Sequence, residues 1–135
     1  MTTPQAPAGP LRVELVAPDS VRRGERVAIT IRLTNTGDRP LDVSLVGREI
    51  AFDIVVRQEH GPVLWRRLAD TPVQSMLQIR TLRAGESLEL RDDWRQQDQG
   101  GGPVPPGTYV LRGLVLTEHR ESLATPFVRL TILPE

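Results

Sequence analysis

The 135-residue sequence has no cysteine, no lysine and a single tyrosine. Without cysteine there is no disulfide framework, thiolate metal site or cysteine nucleophile, so a hydrophobic core alone has to hold the fold. Without lysine, all 17 basic residues are arginine, and 17 acidic residues balance them to a formal net charge of zero. Nucleic acids and anionic membranes recruit a basic excess, so neither is the expected partner. No apolar run approaches the roughly 20 residues of a transmembrane helix, and no membrane insertion is expected. The opening MTTPQAPAGP lacks the charged and apolar regions of a signal peptide. It reads as a flexible tail over residues 1–10, ahead of one domain over 11–135 in a cytoplasmic protein.

Helical periodicity is also missing. The recurring period is two: Leu11, Val13 and Leu15 alternate with polar neighbours, as do Val27, Ile29, Ile31 and Leu33, then Leu41, Val43 and Leu45, then Ile50, Phe52, Ile54 and Val56. Such alternation marks half-buried strands. Further strands are expected over 62–66, 73–80, 86–94, 107–117 and 125–133, with Leu88, Leu90 and Trp94 on one face. Ala69 to Leu77 is the one stretch where a short helical turn competes. The Gly, Pro and Asn/Asp clusters VRRGE, NTGDRP, EHGP, LRAGE and VPPGT supply turns between these runs. About eight or nine short strands in one domain predict an all-β fold, an immunoglobulin-like two-sheet antiparallel β-sandwich. In PPGTYVL, Tyr109 sits where a strand-initial tyrosine can bond back to the preceding loop or simply pack in the core. The glycines of RQQDQGGGPVPPG predict mobility in its first half, and the prolines predict stiffness in its second.

Catalytic signatures are absent. His60 and His119 stand in polar surroundings, and no serine occupies a nucleophile elbow. RDDWRQQDQ gathers three aspartates without the spacing of a calcium loop, among arginines that would neutralise it. GGGP lacks the lysine and hydroxyl residue of a phosphate-binding loop. The sequence therefore predicts a non-enzymatic chain with no cofactor and no metal.

LWRRLADTPVQSML, residues 64–77, places one of the two tryptophans beside two arginines between strand-like runs. Alternation puts Trp65 on the core face of a strand and makes Arg66 and Arg67 edge charges that discourage strand-to-strand association. Arg67 to Thr71 reads as an exposed loop. As a contact surface for a protein partner, the segment offers Leu64, Arg66, Arg67, Leu68, Thr71 and Met76. Phe52, Trp65, Trp94 and Tyr109 read as structural.

Taken in order, several pieces resemble the bacterial intracellular proteinase inhibitor, or BsuPI-type, family. They are G-E-x-V at Gly24–Val27, Asn35 and Gly37 in L-T-N-T-G, F-D-I-V-V at Phe52–Val56, and Trp65 and Arg66 in G-P-V-L-W-R. Gly85 and Glu86 in L-R-A-G-E-S, Trp94, and Pro106, Gly107 and Tyr109 in V-P-P-G-T-Y complete the set. The ordered set spans almost the whole chain and is more specific than any single piece. The resemblance implies an immunoglobulin-like fold and inhibition of a subtilisin-like serine protease. The chain departs from the family pattern at Ala84, where proline is expected, at Arg67 and Leu68, where an aromatic and a serine are expected, and near Val73. An immunoglobulin-like interaction module without inhibitory activity, in a cytosolic or envelope protein, is the alternative.

Overall fold

Alternation in the sequence becomes alternation of burial. In the computed structural model, which describes residues 10–69, 72–73, 75–117 and 122–134, strand β3 (Val27–Asn35) buries every odd-numbered residue. It is the centre of a three-stranded antiparallel sheet between β1 (Leu11–Val16) and β8 (Ser87–Trp94). The second sheet has the order β2 (Ser20–Arg22), β11 (Val128–Leu133), β9 (Gly107–Val115), β5 (Phe52–Gln58), β6 (Val63–Arg66), and β10 (Leu123–Ala124) also pairs with β9. A two-stranded ribbon of β4 (Leu41–Val46) and β7 (Leu77–Leu82) flanks them.

The all-β, immunoglobulin-like sandwich is as expected, with three differences. The described residues form eleven strands, because β2 and β10, three and two residues long, are too short to show a period. Pairing is antiparallel throughout except between β2 and β11, which run parallel. The ribbon of β4 and β7 is a third sheet beside the two expected; Ala69 to Leu77, where a helical turn competed, contains no helix among its described residues.

The core fills the space between the sheets. Val13, Leu15, Val27, Ile29, Ile31, Leu33 and Leu90 face Phe52, Ile54, Val56, Leu111, Val115, Leu130 and Ile132, and the ribbon adds Val43, Leu45 and Leu82. The sheets pack closely at Gly113, where a Cβ would lie 2.6 Å from the Ile31 Cδ1 atom. One end is closed by an aromatic column. Trp94 stacks tilted on Trp65 at 6.4 Å between ring centroids and edge-on against Tyr109 at 5.8 Å. Each such pair adds about 0.5–1.5 kcal/mol beyond simple burial. The Tyr109 hydroxyl donates to the Pro105 carbonyl, closing a tyrosine corner.

Asn35, fully buried at the end of β3, joins the first sheet to the ribbon. Its Nδ2 donates to the Arg39 carbonyl at 2.7 Å and the Leu82 carbonyl at 3.0 Å, while its Oδ1 accepts from the Gly37 amide at 3.0 Å. Its backbone exchanges two further bonds with Glu86 and Gly85.

Residues 95–106 are more organised than their glycines predict. The Asp98 Oδ1 atom accepts from the Gly100 and Gly102 amides at 3.0 and 2.9 Å. The buried Gln96 side chain donates to the Arg22 and Glu25 carbonyls, which holds its backbone at a φ of 56°. Trp94 Nε1 donates to the Gln97 carbonyl at 2.9 Å.

Buried polar groups make stability sensitive to single substitutions and to pH. Replacing Asn35 with Ala strands two carbonyls and an amide and should cost about 3 kcal/mol in urea unfolding. Asn35→Asp, isosteric but without the donors, should cost as much or more. Burial raises the Tyr109 hydroxyl above its ordinary value of 10.0. The fold therefore favours the protonated form, and that contribution is present below pH 10 and lost as pH rises above it. With no lysine or cysteine in the chain, Tyr109 is the one side chain expected to titrate in that window. Unfolding midpoints of the native chain should fall above pH 10, and those of Tyr109→Phe should stay flatter from a start about 1 kcal/mol lower.

Candidate functional site

The segment 64–77 leaves the second sheet along β6. Strand β6 pairs with β5 on one edge, with a register irregularity between Val56 and Arg57. Its other edge is covered by Gln99, whose amide donates to the Leu64 carbonyl at 2.9 Å and whose Oε1 accepts from the Arg66 amide at 2.8 Å. The glycine-rich loop thus seals the edge that Arg66 and Arg67 were expected to protect by charge. Leu64 and Trp65 are both half-buried and packed against the core.

Both arginines are engaged from below. Arg66 donates through Nε and Nη2 to Asp53 Oδ2 at 2.9 and 2.6 Å. Asp53 is only 1% exposed on β5, and its second oxygen accepts from the Leu68 amide at 3.0 Å. Arg67 lies over the Phe52 ring with its guanidinium carbon 3.7 Å from the centroid. It also donates to the Phe52 carbonyl at 2.7 Å and to Asp92 Oδ2 at 2.6 Å. The turn Arg66–Leu68 is therefore pinned to both sheets. Cation–π contact contributes about 0.5–2 kcal/mol at such a half-shielded position.

Beyond the turn, a cleft of ≈ 700 Å³ opens between Gly47–Ala51 and the residues Arg67, Leu68, Pro72 and Val73. Its floor depends on Gly47, at a φ of 97°, where a Cβ would lie 2.4 Å from the Glu49 carbonyl oxygen. The Gly47 amide donates to the Met76 carbonyl at 2.6 Å, and Gln78 Nε2 donates to the Gly47 and Arg48 carbonyls. Val73, Met76 and Leu77 are exposed by 39, 54 and 51%. Thr71 and His119 lie outside the described residues.

Sequence reasoning did not single out Asp53, Gln99 or the Gly47–Ala51 wall as parts of this site. Asp53 carried a signal, an acid inside the apolar strand run Phe52–Val56, whereas nothing local marked Gln99. The aspartates of RDDWRQQDQ go separate ways, Asp92 to Arg67 and Asp98 to the loop amides, with Asp93 3.9 Å from Arg26. Among the described residues no group of three or more His, Cys, Asp or Glu side chains is placed to hold a metal ion. On the outer face of the first sheet, Glu89 is held below the usual carboxylate range by hydrogen bonds from Arg32 and then Arg91. This is a solvated charge network and not a pocket.

Among solved structures, the chain is similar to Pseudomonas fluorescens alkylpurine DNA glycosylase AlkC bound to DNA containing an abasic site analog, at 18% identity and a TM-score of 0.51, covering 96% of this chain and 31% of that one. The chain thus spans about a third of that protein's length. It is also similar to the C-terminal domain of Wzt, at 10% identity and a TM-score of 0.53, covering 94% of this chain and 75% of that one. These identities establish a shared fold only. No curated protein matches the chain significantly. The intracellular proteinase inhibitor (BsuPI) family matches residues 15–120, a span that holds the Asp53 anchor, the cleft and the aromatic column, and the chain belongs to that family.

Proposed function

We propose that the chain is a non-catalytic inhibitor of a subtilisin-like serine protease, acting in the cytoplasm, and that it presents residues 68–77 to the enzyme. One observation carries the reading: Val73 stands exposed between two hydrogen-bonded anchors, and Met76 and Leu77 stand exposed at the second of them. The first anchor is the Asp53-bound turn at Arg66–Leu68, and the second is the pairing of β7 with β4 that starts at the Gly47–Met76 bond. A protease cleft takes an extended segment, and anchoring both ends lowers the ordering cost of binding, about 0.5–1.5 kcal/mol per immobilised side chain.

Subtilisin-like enzymes favour an apolar side chain before the scissile bond, which suits Met76 or Leu77. Leu64 is committed to the core, and Arg66 and Arg67 act as positioning residues whose charges are used within the fold. Leu68 borders the cleft beside them. Membership of the family supports a protease as partner, and the exposed apolar residues are consistent with the subtilisin type.

Titration of purified protein against a subtilisin-like protease should give inhibition that saturates at one-to-one, with a single slow cut within 68–77 found by mass spectrometry. Rapid digestion, or undiminished protease activity, would contradict the proposal. Replacing Asp53 with Asn weakens the clamp on Arg66 and should lower stability by about 1–3 kcal/mol. Because the same carboxylate anchors the presented segment, this variant should also be cut faster at 68–77 at temperatures where it remains folded. A variant that lost stability but kept the native cleavage rate would dissociate Asp53 from the site.

A further inference from the structure

Strand β7 leaves one edge without a strand partner among the described residues. Because the Gly47 amide bonds to the Met76 carbonyl, ladder alternation turns Met76, Gln78, Arg80 and Leu82 toward β4. It turns the backbone N–H and C=O groups of Leu77, Ile79 and Thr81 away from β4. Leu77, Ile79 and Thr81 also share one solvent-exposed face of the ribbon, where Ile79 is 66% exposed and Leu77 51%. A two-stranded ribbon is marginal on its own, and an exposed apolar edge is a template for another strand.

We propose that this edge pairs with β7 of a second copy of the chain, antiparallel about a twofold axis at Ile79. Ile79 then opposes Ile79 of the second copy, Leu77 opposes Thr81, and Gln78 opposes Arg80. This register lets all three outward-facing residues of each copy exchange hydrogen bonds, and it sets no like charges directly opposite. The two ribbons become one four-stranded sheet in an isologous dimer, the commonest oligomer symmetry. A six-residue edge buries less than the roughly 800 Å² per copy of a standard interface, so the pair is weak and reversible. Resting on the inhibitor reading above, the dimer is also a latent form, because it covers Leu77.

Sedimentation of the full chain without protease, over about 5–500 μM, reads this directly. The expected result is a reversible monomer–dimer equilibrium that Ile79→Arg weakens at least tenfold while leaving the circular dichroism spectrum unchanged, and that Ile79→Val preserves. A native chain that stays monomeric throughout, or a dimer indifferent to Ile79→Arg, overturns the proposal. So does an Ile79→Arg chain that sediments like the native one but no longer inhibits, since the edge would then belong to the protease complex. If the dimer forms as expected and no protease is inhibited, it is the inhibitor reading that fails.

Discussion

A carboxylate buried to 1% exposure has to be satisfied on the spot, and at Asp53 that requirement shapes the candidate site. One oxygen takes two donors from Arg66 and the other takes the Leu68 amide. An unpaired charge there would cost several kcal/mol, so the chain after β6 is fixed where it meets β5. Arg67, next in line, is carried over Phe52 toward Asp92 on the other sheet. The direction in which the segment sets out is thus dictated by a residue thirteen positions earlier.

The rest of the molecule supports that geometry from two sides. Gln99 closes the open edge of β6, and it can do so because Asp98 ties down the glycines that follow it and Gln96 fastens the loop to the turn after β2. Trp94, packed between Trp65 and Tyr109, sets the level of β6 against the core. On the far side, Gly47 and Gln78 fasten the end of the segment to the ribbon. Val73 lies between these hydrogen-bonded elements, and Met76 and Leu77 lie on the second of them.

Much of the fold was legible because it rests on period-two patterning. The burial of β3 follows the alternation of Val27, Ile29, Ile31 and Leu33 residue by residue, and the PPGTYVL corner formed as a local rule predicts. What the sequence hid is long-range. Arg66 and Arg67 look like displayed charges because nothing adjacent reveals Asp53 or Asp92. Three glycines read as slack because a single carboxylate two residues earlier does not announce its hydrogen bonds. Strands of two or three residues, such as β10 and β2, leave no period to find. Exposure of Ile79 was likewise illegible, since an alternating apolar residue on a ribbon has the same pattern as one facing the core.

Residues 68–77 are the surface proposed to meet a protease. Hydrogen–deuterium exchange of the chain mixed with a subtilisin-like protease whose catalytic serine has been replaced tests this without digestion. New amide protection is expected to concentrate in 68–77, with the outer face of the first sheet unchanged. Protection confined to the loop 95–106 or to that sheet face, or no protection at any concentration, would contradict it.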